Sequence, residues 1–379
     1  MNRSGYDRWR IGFLALALLA PIVAGCGDGA DAPDGLGDEE PATLVVTIHP
    51  IASIVEQLLG EAATVHALVD PGQSPHHAEL PSNALGLLTR ADAVVTIGLG
   101  LDDWAEDAAK RVADRGLAFI RCGQLLGLDQ EATRPNADHN HANHDHNHAH
   151  AHHDHDDDDG AAGHGHGHGA IDPHVWVDPV LARTLTARLA ARLRRLMPGH
   201  AATIDANAAA LDRDLADLDA AFADALAPFQ GAAIVTYHSA FNRLAERYGL
   251  TVAATLSPVE TPGAMTLKAR QRAIDAVDRH DLRVIFAEPQ FPDAAAQALR
   301  RAAGGKLEVL TLDPLGDPRS DARSTYQSMM RYNLSQLVKG LRLNADARRD
   351  ADDNDHDNAD AHDHRHDGHD HVHDHDHEH

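Results

Sequence analysis

The chain has 379 residues, with 58 acidic and 33 basic side chains and a formal net charge of −25 at pH 7. This length exceeds that of most single domains and predicts two. The acidic balance excludes nucleic acid as a partner, because phosphate groups are bound by Lys and Arg. The two cysteines are Cys26 and Cys122. If Cys26 is consumed in processing of an N-terminal signal, as argued below, Cys122 is left without a partner; no internal disulfide is then expected, and the core must hold the fold.

The first 26 residues have the layout of an export signal. Residues 1–10 carry three Arg, residues 11–20 are mostly apolar, and small residues at 24 and 25 precede Cys26. The apolar run is too short to span a bilayer. Small residues before a cysteine resemble the bacterial lipoprotein signal, which implies cleavage after residue 25 and a lipid on Cys26. The alternative is an ordinary export signal that contains a cysteine by chance. Residues 26–40 are then predicted to be a flexible tether.

Short β-rich runs alternate with helical periods after residue 41. Strands are predicted at residues 43–48, 64–69, 94–97 and 118–121, with helices between them. Cys122 follows the fourth strand and is expected to be a small buried residue, with a thiolate ligand as the alternative. These elements predict an N-terminal lobe over residues 41–198.

The second part of the chain repeats this alternation after two helices. The apolar spacing predicts a helix at residues 180–197 and a longer linking helix at 199–228, which is roughly 40 Å long at 1.5 Å per residue. Strands at 233–237, 252–256, 284–287 and 307–312 and a last helix at 324–343 predict a C-terminal lobe over residues 229–345. The fold class is therefore α/β, with two βα lobes, each with a four-stranded, mostly parallel sheet, joined by one long spine helix.

Two tracts hold 22 of the 30 histidines. Residues 138–168 contain 12 His and 7 Asp, and residues 350–379 contain 10 His and 11 Asp. Both have too few apolar residues to form a core, so the loop 138–169 and the tail 346–379 are predicted to be disordered without metal. Because imidazole is a ligand for zinc, copper and nickel, the two tracts are predicted to bind such metal ions weakly. The alternative is that each tract is only a solvated acidic linker.

Histidines and carboxylates follow several predicted strands, at the edge where parallel βα sheets bind ligands. His174 lies between two Asp-Pro pairs in IDPHVWVDP, residues 171–179. The other candidates are His49, His76, His77, His238, Glu288 and Asp313. Three imidazoles and one carboxylate suit a tetrahedral zinc site, whereas manganese or magnesium would use more oxygen. Spacing alone does not choose between His76 and His77.

Five motifs occur in a fixed order along the chain. They are PGQSPHHAE (71–79), DPHVWVDP (172–179), VTYHSAF (235–241), FAEPQF (286–291) and TLDPLG (311–316). This order resembles that of the zinc-binding receptors of bacterial ABC importers, the cluster A-I group or periplasmic solute-binding protein family 9. The resemblance covers about residues 41–343, and these receptors also have a His-rich insertion before the second ligand.

The resemblance implies which residues bind the metal. It assigns His76, His174 and His238 as ligands, and Asp313 matches an aspartate that completes the site in many relatives. In zinc receptors the role of that aspartate varies, and water sometimes replaces it. Histidine at 238 favours zinc, because relatives that take manganese have Glu there.

Three further residues are secondary candidates near the metal, namely His77, Glu288 and His49. His77 departs from the family pattern by adding an imidazole beside a ligand. Pro262-Gly263 stands where Pro-Ser is common, and the second His tract is unusual.

These features predict a lipid-anchored, extracytoplasmic, monomeric receptor that binds zinc and delivers it to the permease of an ABC importer, without catalysing a reaction. A zinc hydrolase with Glu288 as general base is one alternative, although the chain lacks a His-Glu-x-x-His motif. A zinc-storage lipoprotein that uses its His tracts is the other.

Overall fold

The computed structural model describes residues 41–112, 116–129, 171–257 and 266–363, and of residues 350–363 only the backbone. The predicted signal peptide, the tether, the lipidation site Cys26, the His-rich loop and Pro262-Gly263 therefore lie outside the described residues. Eight strands and ten helices are found in the described part of the chain.

The N-terminal lobe is built on a four-stranded parallel sheet in the order β2-β1-β3-β4. The strands are β1 (Ala42–Val46), β2 (Ala63–Ala67), β3 (Ala93–Thr96) and β4 (Ala118–Arg121). Every residue of β3 is buried, as expected for a central parallel strand covered on both faces by helices. All four strands agree with the sequence-based prediction to within two residues at each end.

The helices of this lobe follow the strands. They are α1 (His49–Leu59), α2 (Ala84–Arg90), α3 (Asp103–Val112) and α4 (Cys122–Leu126). The short helix α4 was not predicted, and Gly127 ends it in the left-handed conformation. Cys122 is fully buried, as expected, and burial raises the pKa of its thiol, which disfavours the thiolate alternative.

Two helices connect the lobes. Helix α5 (Pro179–Leu196) begins at a strong cap, because Oδ1 of Asp178 accepts hydrogen bonds from the backbone N–H groups of Val180 and Leu181. Helix α6 (Ala201–Leu226) has 26 residues, so it is about 39 Å long. It is the predicted spine, and it packs against α5, α1 and the last helix, α10.

The C-terminal lobe contains the four predicted strands in two parallel pairs. The pairs are β5 (Ala233–Thr236) with β6 (Thr251–Thr255), and β7 (Val284–Ala287) with β8 (Glu308–Thr311). Strands β5 and β7 are neighbours but share no hydrogen-bonded ladder, so the predicted four-stranded sheet is divided. Just beyond these strands, the carboxylate of Glu288 accepts a hydrogen bond from the backbone N–H of His238 at 3.2 Å and so links the ends of the two pairs.

Four helices complete the C-terminal lobe. They are α7 (Asn242–Arg247), α8 (Leu267–Arg279), α9 (Ala294–Ala302) and α10 (Tyr326–Asp363). Helix α10 was predicted to end at residue 343 and the tail to be disordered from 346, whereas the helix continues to Asp363. The extension contains no Gly or Pro, and its several Ala and Arg residues favour helix.

One hydrophobic cluster runs through both lobes. It includes Leu44 from β1, Phe222 from α6, Phe286 from β7 and Leu337 from α10. The two lobes are therefore joined by shared packing as well as by the chain. None of the helices in the described ranges combines the length and apolarity needed to cross a bilayer.

Candidate metal centre

Three histidines converge between the two lobes. His76 lies in a 3-10 turn after β2, His174 precedes α5, and His238 follows β5 directly. One ring nitrogen from each lies within 4.8 Å of the other two. The Nε2 atoms of His76 and His174 are 3.1 Å apart. Within the described residues, this trio is the only group of His, Cys and carboxylate side chains close enough to share one ion.

Hydrogen bonds from two tryptophan indoles to proline carbonyls fix the loops that carry two of these histidines. Pro75 is buried at the start of the turn that contains His76, and its carbonyl oxygen accepts the Trp104 indole N–H at 3.2 Å. Trp176, two residues after His174, donates its indole N–H to the Pro314 carbonyl of the other lobe at 2.7 Å. The ligand-bearing loops are thus anchored by contacts outside the trio.

Carboxylates orient the two most buried imidazoles. Oδ1 of Asp172 accepts hydrogen bonds from His174 at Nδ1 (2.7 Å) and at the backbone N (3.0 Å). Oε1 of Glu288 accepts from His238 in the same way, at 2.7 and 3.2 Å. Because each Nδ1 donates to a carboxylate, each Nε2 keeps its lone pair for a metal ion, an arrangement typical of metal-binding histidines.

Asp172 was not predicted as a site residue, although the Asp-Pro-His motif contains it. Arg243 of α7 donates to its backbone carbonyl at 3.1 and 2.5 Å, and lies 3.7 Å from its carboxylate. Burial opposes ionisation of Asp172, but its hydrogen bonds from His174 and the charge of Arg243 hold its pKa below the usual value. The C-terminal lobe thereby supports the residue that orients His174.

The electrostatics favour neutral imidazoles. Burial, followed by repulsion from His174 and His238, lowers the pKa of His76 to about 3. Burial also lowers the pKa of His174, although the hydrogen bond to Asp172 opposes this shift. A neutral imidazole is the form that binds metal.

Asp313 is not brought into the trio. Its Oδ2 accepts from Nη1 of Arg323 at 2.6 Å, and its Oδ1 accepts from Nε2 of Gln290 at 2.8 Å. The backbone N–H groups of Leu315 and Gly316 also donate to Oδ1 at 3.0 Å. With both oxygens engaged and the residue 1% exposed, Asp313 does not take the predicted place of a fourth ligand in this conformation.

The secondary candidates take different positions. His77 is exposed, and its ring lies 6.4 Å from that of His76. His49 lies outside the trio, where its Nε2 is 3.0 Å from the Ser324 carbonyl oxygen. Glu288 lies directly behind His238.

A small cavity adjoins the trio. It is lined by the three histidines together with Trp176, Phe291, Glu288, Gln290 and neighbouring loop residues, and its volume is about 10 Å³. This is room for one sphere of the size of a water molecule. The space beside the trio therefore has the size of a single small ion or water molecule.

Residues 44–340 match the ZnuA family, described as the periplasmic component A of a zinc-uptake complex. The chain belongs to this family. It is 28% identical over 331 residues to the zinc-binding lipoprotein AdcA of Streptococcus pneumoniae serotype 4, with 86% of this chain and 60% of the relative covered. It is 26% identical over 342 residues to the high-affinity zinc uptake system protein ZnuA of Bacillus subtilis, with 89% and 98% covered. The chain thus spans about 60% of the length of AdcA.

Solved structures of ZnuA-family relatives share the fold. The periplasmic zinc-binding protein TroA of Treponema pallidum has a TM-score of 0.65 at 21% identity, over 79% of this chain and 99% of that one. The Zn(II)-bound ZnuA-like domain of Streptococcus pneumoniae AdcA has a TM-score of 0.58 at 24% identity, over 79% and 98%. The predicted α/β class and the family resemblance are confirmed.

Proposed function

We propose that this chain is an extracytoplasmic receptor that binds Zn²⁺ through His76, His174 and His238 and delivers it to the permease of an ABC importer. The convergence of three imidazoles, two of them oriented by carboxylates, is the observation that carries this proposal. The family description and the names of the relatives support the same function.

The geometry and donor set fit zinc. Zinc binds histidine nitrogen at about 2.0–2.1 Å, so two ligands of a tetrahedral site lie about 3.3 Å apart. The Nε2 atoms of His76 and His174 are 3.1 Å apart, close to that value. Three nitrogen donors and no carboxylate in the trio favour zinc over manganese and magnesium, which prefer oxygen.

The two rival functions are less well supported. In the hydrolase hypothesis Glu288 acts as a general base, but the space beside the trio, about 10 Å³, is that of about one water molecule, and no pocket for an ester or peptide adjoins the trio in the described residues. In the storage hypothesis the His tracts bind the metal and the trio is dispensable. The calorimetry described below distinguishes zinc storage by the tracts from zinc binding by the trio.

The remaining features of the proposal concern the placement of the chain. Cys26 carries a lipid that holds the mature monomer at the outer face of a membrane, with residues 26–40 as tether. Residues 41–198 and 229–345 form the two metal-binding lobes, and residues 199–228 link them. Incorporation of a labelled fatty acid that is lost in Cys26→Ser would test the anchor.

Zinc calorimetry on the chain without residues 1–40 tests the function. We expect one tight site that survives removal of residues 138–169 and 350–379. The site should vanish in the triple variant His76→Ala, His174→Ala, His238→Ala, but not in the control His200→Ala, His280→Ala, which removes histidines outside the trio. Tight binding that depends on the tracts and ignores the triple variant would establish storage instead.

A further inference from the structure

Two buried oxygen atoms beside the metal cavity have no hydrogen-bond partner among the residues that the structure describes. They are Oε2 of Glu288 and Oε1 of Gln290, and both residues line the cavity shared with the three histidines. A carboxylate oxygen and an amide carbonyl oxygen are both acceptors. Because an unpaired buried acceptor costs free energy, these two atoms indicate a place for a donor that the chain itself does not supply.

The side chain of Gln290 is oriented by its other end. Its Nε2 donates to Oδ1 of Asp313 at 2.8 Å, and Asp313 is held in turn by Arg323. Since a carboxylate only accepts, the NH₂ group must be the end that contacts Asp313. Asp313 does not line the cavity, so the carbonyl oxygen is the end of the amide left for the cavity.

Glu288 is oriented in the same manner. Its Oε1 accepts two hydrogen bonds from His238, through Nδ1 and the backbone N–H. The residue is 3% exposed, so bulk water does not satisfy the second oxygen. Another buried atom without a partner among the described residues, the Tyr237 hydroxyl, belongs to a side chain that does not line the cavity.

A water molecule on a metal ion matches these two acceptors. Its lone pair is used by the metal, and its two O–H groups remain to donate. A zinc site with three protein ligands leaves a fourth position for water. We propose that Glu288 Oε2 and Gln290 Oε1 together hold the water in this position. This inference rests on the proposed function.

The consequence is a defined role for both residues as determinants of affinity and ligand choice. Each acceptor stabilises the bound water, and the carboxylate at this point disfavours an anion in its place. Asp313 then acts on the metal through Gln290, by orienting the amide, and not by coordination.

Two variants of the full mature chain test the proposal. Glu288→Gln keeps an oxygen for His238 and replaces Oε2 by an NH₂ donor, which cannot accept from the water. Gln290→Met removes the carbonyl at nearly constant length. Gln271→Met, on the exposed side of α8, is the matched control.

The readouts are zinc affinity, by competition with a chelator, and the visible spectrum of the Co²⁺-substituted protein titrated with azide. We expect each variant to weaken zinc binding about tenfold, the lower end of the range for residues that support metal ligands, and the control to leave it unchanged. In Glu288→Gln, azide should alter the spectrum at a lower concentration than in the unmodified protein, because the added donor favours an anion. A zinc-bound crystal structure should show one water oxygen within hydrogen-bond distance of both acceptors.

The proposal is overturned if both variants match the unmodified protein in zinc affinity and azide response, or if Asp313 coordinates the ion in the crystal structure. Either result would leave the receptor function intact. Absence of tight zinc binding in the unmodified chain would instead refute the proposed function, and this inference with it.

Discussion

Arg323 donates from Nη1 to Oδ2 of Asp313 over 2.6 Å, and the carboxylate that it holds is 1% exposed. The guanidinium carbon of Arg323 also lies 5.3 Å from the ring centre of Tyr332. Gly316 lies in the loop between Asp313 and Arg323 and has φ +68°. A Cβ at this position would lie 2.7 Å from the Arg323 carbonyl oxygen. The TLDPLG loop therefore packs tightly against Arg323, which forms the ion pair with Asp313.

Arg323→Met should lower the free energy of unfolding of the zinc-free protein by about 3–5 kcal/mol, because it leaves a buried charge without its partner. Urea unfolding measures the change. Combined with Asp313→Asn, the loss should be smaller than the sum of the two single losses. Arg319→Met is the control, since Arg319 pairs with Asp317 at the surface, where such a pair contributes at most about 1 kcal/mol. Equal losses in Arg323→Met and Arg319→Met would contradict the prediction.

Asp172→Ala should weaken zinc binding about 10- to 100-fold, because His174 loses the carboxylate that fixes its ring and tautomer. Competition with a zinc chelator measures the change. Asp214→Ala, on the exposed face of α6, is the matched control. If the two variants bind zinc equally well, Asp172 does not orient the ligand.

The zinc-free protein should lose stability as the pH falls below about 6.5. The pKa of His76 is about 3 in the folded state, against an ordinary value of about 6.5. The unfolded chain therefore binds more protons between these values, so stability is fully present above 6.5 and declines below it. For His76 the loss between pH 7.5 and 5 is about 2 kcal/mol.

Urea midpoints at several pH values measure this dependence, and His76→Gln should reduce it; His174, whose pKa burial also lowers, contributes to what remains. The carboxylates with lowered pKa, Asp172 and Glu106, lose their contribution only at lower pH, as each is protonated. A midpoint that does not change between pH 7.5 and 5 would show that the trio does not suppress protonation.

Zinc binding should rotate the lobes by less than roughly 20°, because α6 and one hydrophobic cluster are shared by both. Spin labels on Arg111→Cys in α3 and Arg272→Cys in α8, both exposed, report the distance between the lobes. Cys122 is fully buried and does not compete for the label. A rotation above that limit on adding zinc would refute a rigid spine.

The strands and the spine could be predicted because their signals are local. The apolar runs at 233–236 and 284–287 predict strands by themselves, and residues 204–226 keep one apolar face over six turns. The sequence did not predict that β5 would pair with β6 and not also with β7. A buried strand is apolar on both faces, so its sequence does not indicate which strands lie beside it. The extension of α10 was missed because its mostly polar sequence has no apolar period.

Motif order grouped the three histidines, whereas it gave no signal for the contacts around them. It selected His76 over His77; in the structure His76 lies with His174 and His238, and His77 is exposed. A carboxylate after a strand looks the same in the sequence whether it binds a metal or an arginine. Arg323, the partner of Asp313, lies ten residues further along the chain in an irregular loop. No sequence pattern therefore predicted this ion pair.

The size of the cavity has a consequence for transport. An ion in water carries a full hydration shell, whereas about 10 Å³ admits only about one water molecule. Under the proposed function, zinc exchanges most of this shell for the imidazoles on entry, and water replaces the imidazoles when it leaves. Release to a permease would then depend on how readily water reaches the bound ion.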